Sequence, residues 1–137
     1  MNRRWFDAAV CVTIGVTLIG WSSLAVGAEP VEVEVVVQHT SFDPAVLTVH
    51  AGTTVRFVVH NLDPIDHELL LGDRAAQDAH EHGTESHHGS RPGEISVGAL
   101  STASTTYRFD EPGTVLIGCH LPGHWSHGMR GRVVVVA

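Results

Sequence analysis

The sequence predicts an all-β protein, a Greek-key β-sandwich or barrel of about seven to eight short strands. Valine gathers in VEVEVVV (31–37), VRFVV (55–59) and VVVVA (133–137), and a β-branched side chain loses little freedom on a pleated surface. These runs are short and are separated by Gly, Pro, Asn and Asp, the residues of turns. No stretch carries the 3.6-residue apolar period of a convincing amphipathic helix. With 137 residues there is room for one such domain and not comfortably for two.

The first 28 residues stand apart. MNRRWFDAAVCVTIGVTLIGWSSLAVGA has a basic start, an apolar middle and a small-residue end at Val26-Gly27-Ala28, the plan of a secretory signal peptide cut before Glu29. Ala8 to Ala28 is also long enough to stay as a membrane anchor, but the small-residue site favours cleavage and export to the periplasm or beyond. The domain then occupies 29–137. Val31-Glu32-Val33-Glu34-Val35 alternates as a half-buried strand does. Ser41 to Val49 is a second extended stretch, with Pro44 marking an edge or a bulge. Ala51-Gly52-Thr53 turns into Thr54–His60, which places Val55, Phe57 and Val59 on one face. Asn61-Leu62-Asp63-Pro64 ends that strand, and Glu68 to Leu71 is a short apolar run after His67.

Residues 73–92, DRAAQDAHEHGTESHHGSRP, lack large apolar side chains and read as a His-rich insertion, either a solvated loop or a short frayed helix. Order returns at Glu94–Leu100 and at Thr105–Phe109. Glu111-Pro112-Gly113 is a turn, Thr114–Cys119 a strand, His120–Arg130 a compact loop with its own Gly and Pro, and Arg132–Val136 the closing strand.

Charge and cysteine usage narrow the function. The whole chain carries a net charge of −7 with His neutral. Loss of the leader removes Arg3, Arg4 and Asp7, which makes the domain one unit more negative, −8. An acidic surface without lysine argues against nucleic acid and against anionic membrane surfaces. Cys11 leaves with the leader, so Cys119 is the lone thiol of a protein sent to an oxidising compartment. It cannot close an internal disulfide; it is either a dimerisation accident or a ligand.

The chemistry concentrates in Gly118-Cys119-His120-Leu121-Pro122-Gly123-His124-Trp125-Ser126-His127-Gly128-Met129. Cys-x4-His-x4-Met puts a thiolate, an imidazole and a thioether at the end of an apolar strand and in the loop after it. Two His, one Cys and a weak axial Met form the donor set of a blue (type 1) copper ion. Cys119, His124 and Met129 supply three donors. His67, at a strand end, is preferred to His60 for the fourth. A nucleophilic Cys–His hydrolase would need a larger scaffold and an orienting Asn or Asp. A binuclear copper site would need a second Cys in the loop, and a trinuclear centre several His-x-His pairs where only His80-Glu81-His82 is present. No catalytic residue is assigned.

Phe42-x-Pro44-Ala45-x-Leu47-Thr48-Val49-x-Ala51-Gly52-Thr53-Thr54-Val55, Asn61…His67, Tyr107…Phe109, Pro112-Gly113 and the Cys-His-Met loop resemble the cupredoxins of the plastocyanin and azurin kind. The loop spacing is similar to that of the auracyanins and rusticyanins. The resemblance covers the chain after the leader except for the His-rich insertion. It implies a cupredoxin fold with one type 1 copper, and single-electron exchange with redox protein partners, a donor and an acceptor. It also implies docking through an apolar patch around the surface-reaching His124, here Leu121, Pro122 and Trp125. Nothing demands more than a monomer, and membrane contact would come only through a retained leader.

One departure from the family pattern stands out. Plastocyanin and azurin follow the first His ligand with Asn and the Cys with Ser or Thr, and the pair ties the ligand loops together. Here Glu68 and His120 occupy those places, and a Glu68–His120 hydrogen bond is the expected replacement. The insertion offers a different chemistry: His80, His82, His87 and His88 could hold a second metal, which would suit a copper resistance, storage or delivery protein.

Overall fold

The valine runs pair as two facing sheets. The structure, a computed structural model, describes residues 29–83 and 92–137; the leader assigned to 1–28 lies outside them. The first sheet contains β1 (Val31–Gln38), β2 (Ser41–Asp43), β4 (Thr53–Asn61) and β7 (Thr102–Phe109), in the order β2-β1-β4-β7. The second contains β3 (Val46–His50), β5 (His67–Gly72), β6 (Glu94–Val97), β8 (Gly113–Gly118) and β9 (Arg130–Val136), in the order β3-β9-β8-β5-β6. Parallel pairing of β1 with β4 and of β3 with β9 requires crossovers between the sheets, as a Greek-key sandwich does.

Alternation decides which side chains meet between the sheets. Val35, Val37, Val55, Phe57 and Val59 from the first sheet are fully buried, as are Leu69, Ile117 and Val133 from the second. Phe57 and Phe109 meet edge to face at 6.3 Å between ring centres. Each such side chain contributes about 1.5–3 kcal/mol on burial, which makes this layer the main source of stability.

Among the described residues the strands number nine rather than seven or eight, because the stretch at 41–49 is two strands. β2 pairs with β1 and β3 with β9, so the chain changes sheets at Pro44-Ala45, where Ala45 O accepts the Arg132 N–H (2.9 Å).

In the insertion the short helix, one of the two expected alternatives, is present and docked rather than frayed. It is α1 (Arg74–Glu81), packed on β5 and β8. Asp73 caps it, its Oδ1 accepting the Ala76 N–H at 2.8 Å. The residue α1 buries is polar. Gln77 is fully buried, donating from Nε2 to Leu70 O (3.2 Å) and Leu116 O (3.3 Å). A helix that docks through an amide shows no apolar stripe, which is why the sequence leaves the segment open between a solvated loop and a frayed helix. Among the described residues no helix is long and apolar enough to cross a membrane.

Candidate metal centre

Because β5 and β8 are antiparallel neighbours paired at Leu70↔Gly118, the start of one and the end of the other share an edge of the sheet. His67 opens β5, and Cys119 follows β8. The loop from 120 to 129 returns the chain to β9 through a series of tight turns. His124 N–H donates to Leu121 O (2.9 Å), His127 N–H to Gly123 O (2.9 Å) and Gly128 N–H to Trp125 O (3.1 Å). Gly123 and Gly128 hold φ of 85° and 97°, a left-handed backbone that glycine adopts without penalty. Met129 N–H to His124 O (3.0 Å) and Cys119 N–H to Met129 O (3.3 Å) close the loop at its base.

This winding brings together one donor atom each from His67, Cys119 and His124, all within 4.8 Å of one another. Cys119 Sγ lies 3.2 Å from His124 Nδ1, and the rings of His67 and His124 are 4.9 Å apart. Met129 is buried in the same cluster as Cys119. His60 is not part of the group: it sits in β4 with its Nδ1 3.0 Å from Thr102 Oγ1.

The electrostatics suit a cation. Burial pushes the Cys119 thiol up to about 11, although the backbone N–H groups of Glu68 (3.3 Å to Sγ) and Leu121 act in the opposite direction. Burial holds His124 below the ordinary imidazole range, and the neighbouring His67 lowers it further. Both shifts come chiefly from burial, which disfavours the charged forms, and a bound cation would favour the thiolate. His67 is fully buried, and its Nδ1 is the one buried side-chain nitrogen or oxygen among the described residues without a hydrogen-bond partner. A buried orphan lone pair facing a thiol and a second imidazole fits a soft divalent or monovalent metal.

Two residues that hold this arrangement were not among the candidate site residues of the sequence. Asp63, in the turn before β5, accepts from three donors: His39 N–H (2.8 Å), Thr40 N–H (2.9 Å) and His67 Nε2–H (3.0 Å). Its carboxyl is held below the usual range, chiefly by the Thr40 N–H. Asn61 supports the same turn, its Nδ2 donating to Ile65 O (2.7 Å) and Gly98 O (2.9 Å). Within Asn61-Leu62-Asp63-Pro64 both read as ordinary strand-ending residues. Only the four-residue step from Asp63 to His67 could have drawn attention to the pair.

The Glu68–His120 link takes a different form from the expected side-chain bond. Glu68 reaches only the His120 backbone N–H, at 3.4 Å. Both ring nitrogens of His120 turn to α1, to Glu81 Oε2 (2.7 Å) and Gln77 Oε1 (2.7 Å). The docked helix has taken the partner. His80, also on α1, points inward, its ring 5.1 Å from that of His120 and its Nε2 3.6 Å from Glu68 Oε2. His82 instead donates from Nδ1 to Asp78 O (2.8 Å) at the helix end, so the two do not converge on one ion. His87 and His88 lie outside the described residues.

Trp125, expected in the docking patch, is only 8% exposed. It is buried between the stacked His120 ring (4.6 Å) and the Arg130 guanidinium (4.2 Å to the ring centre), a cation–π contact worth about 0.5–2 kcal/mol. Leu121 is half-buried against the core, and Pro122 is exposed. An open cleft of about 420 Å³ lies beside them, lined by Pro122, His124 and His127 on one side and by His39 and Thr40 on the other.

Comparison with known proteins agrees with this geometry. The family model for the cupredoxin-like domain matches residues 10–135. The copper-resistant cuproprotein CopI of Rubrivivax gelatinosus is 39% identical over 98 residues, covering 69% of this chain and 59% of that protein. The chain therefore spans a little under three-fifths of that relative's length. Auracyanin B superposes with a TM-score of 0.67 at 25% identity over 82% of this chain and 94% of that one. Auracyanin A, a "blue" copper protein of Chloroflexus aurantiacus, superposes with a TM-score of 0.61 at 25% identity, over 79% and 100%. With its two-sheet fold, its converging His67, Cys119 and His124, and this kinship, the chain belongs to the cupredoxin-like family, and its cofactor is copper.

Proposed function

We propose that the protein holds one type 1 copper ion through His67, Cys119, His124 and Met129 and exchanges single electrons with redox proteins outside the cytoplasm, without catalysing a reaction of its own. The observation that carries this reading is the packed donor group. Cys119 and His67 are fully buried, and a hydrogen-bonded loop fixes His124. A rigid site of that kind suits both oxidation states of copper with little rearrangement. In this reading Cys119 supplies a thiolate, the two histidines supply imidazole nitrogen, and the buried Met129 supplies a weak axial thioether. The exposed Pro122 and the cleft beside His124 are where a partner would approach. Export through residues 1–28, as their sequence suggests, would carry the protein to the periplasm or another extracytoplasmic compartment.

A second reading is favoured by one specific observation: the relative 39% identical to this chain is a copper-resistant cuproprotein. Copper resistance, storage or delivery would use the same centre, with histidines of the insertion as a further place for copper.

Voltammetry combined with copper counting tests the two readings. An electron carrier shows a reversible one-electron wave and keeps one copper per chain through repeated cycling. A delivery protein loads more than one copper and yields it to a competing chelator when reduced. Absence of any reversible wave in a fully loaded sample would refute the electron-transfer reading.

A further inference from the structure

A neutral imidazole carries one ring hydrogen, and the neighbours of the ring decide where it sits. His67 is fully buried, so water cannot make the choice. On one side, Nε2 lies 3.0 Å from Asp63 Oδ2. On the other, Nδ1 has no hydrogen-bond partner. An ionised carboxylate only accepts, so the hydrogen belongs on Nε2, and Nδ1 keeps the lone pair that a metal needs.

The same carboxylate is committed elsewhere. It accepts the N–H groups of His39 and Thr40, two consecutive residues with φ near 54° and 55°. Neither is glycine, so this turn is strained and needs an external hold. That turn forms one wall of the cleft whose other wall contains His124.

We propose that Asp63 is a positioning residue: one buried carboxylate fixes the Nε2–H tautomer of His67, leaving Nδ1 for copper, and anchors the His39–Thr40 turn that walls the cleft beside His124. The proposal rests on His67 being a copper ligand. It extends that role to a residue that touches no metal and ties the buried half of the centre to its exposed face. Carboxylate–histidine–metal chains act in this way generally: the carboxylate orients the ring and raises the basicity of the ligating nitrogen.

The test begins without copper. Two-bond nitrogen–proton correlation spectra of the copper-free protein report which ring nitrogen of His67 carries hydrogen. The wild type is expected to show Nε2–H. In Asp63→Asn a single, uncharged side-chain oxygen is left for the three donors of His39, Thr40 and His67, so the hold on Nε2–H weakens and hydrogen is expected to appear on Nδ1. Copper must then displace it, and the Cu(II) dissociation constant is expected to rise about 10- to 100-fold. The reduction potential should shift with it, and Asp63→Glu should restore the wild-type tautomer at least in part.

A wild-type spectrum with hydrogen on Nδ1 would overturn the proposal with no variant needed, even if Asp63→Asn fails to fold. So would an Asp63→Asn protein with unchanged tautomer, affinity and potential. Failure of the type 1 reading itself looks different: the wild type would lack a thiolate-to-copper band, while the His67 tautomer would be measured as before.

Discussion

Replacing Gln77 by leucine separates a docked helix from a solvated loop. The two side chains are similar in size, so the change removes hydrogen bonds with little change in volume. Three bonds go: Gln77 Nε2 to Leu70 O, Nε2 to Leu116 O, and the bond between Gln77 Oε1 and His120 Nε2. The two carbonyls keep a second lone pair, so each loss costs about 0.5–1 kcal/mol, whereas His120 Nε2 loses its partner in a half-buried place at about 1–3 kcal/mol. Leucine recovers about 1 kcal/mol through its extra apolar burial. The net destabilisation is about 1–4 kcal/mol, which lowers the midpoint of a domain this size by about 5–20 °C. Thermal unfolding of the copper-free wild type and Gln77→Leu, followed by circular dichroism, measures it. An exposed site would tolerate the change within about 0.5 kcal/mol. A drop of less than about 3 °C would therefore refute the docking of α1 through this amide.

Three further outcomes follow from the same geometry. Met129→Leu should keep the thiolate-to-copper band and raise the reduction potential, because loss of a thioether donor weakens the oxidised ion more than the reduced one; voltammetry reads the shift, and an unchanged potential would exclude Met129 from the site. The copper-free protein should lose stability as pH rises from 9 to 11. Over that interval the folded Cys119, pushed up to about 11, keeps a proton that the unfolded chain releases, a loss on the order of 2–3 kcal/mol by pH 11. Denaturant titrations should show that slope in the wild type and not in Cys119→Ala. Gly118→Ala would set a Cβ 2.6 Å from the Trp125 ring and against Gln77 as well. It should cost about 1–3 kcal/mol and shift the emission of Trp125; a neutral variant would mean that this corner is loosely packed.

How much of this was legible in the sequence depends on which forces left a local signature. Strands with an apolar face were readable: Val55, Phe57 and Val59 alternate and are all buried. The donor loop was readable because Cys, His and Met at fixed spacing have few other uses. The switch of sheets at Pro44-Ala45 was not, since the pairings of β2 with β1 and β3 with β9 are choices made between distant strands. The docking of α1 was hidden because the buried group is Gln77, and Asp63 because a turn aspartate looks the same whether it faces water or an imidazole. Trp125 was misjudged for a related reason. An aromatic beside a surface ligand reads as a docking surface until Arg130 and His120 are seen to enclose it.

The visible absorption spectrum of the Cu(II)-loaded protein, recorded beside that of Cys119→Ala, tests the copper assignment most directly. The converging His67, Cys119 and His124 predict an intense blue or green thiolate-to-copper band in the wild type that vanishes in the variant. A nearly colourless wild type that still binds copper would contradict it, and would place the metal on histidines instead.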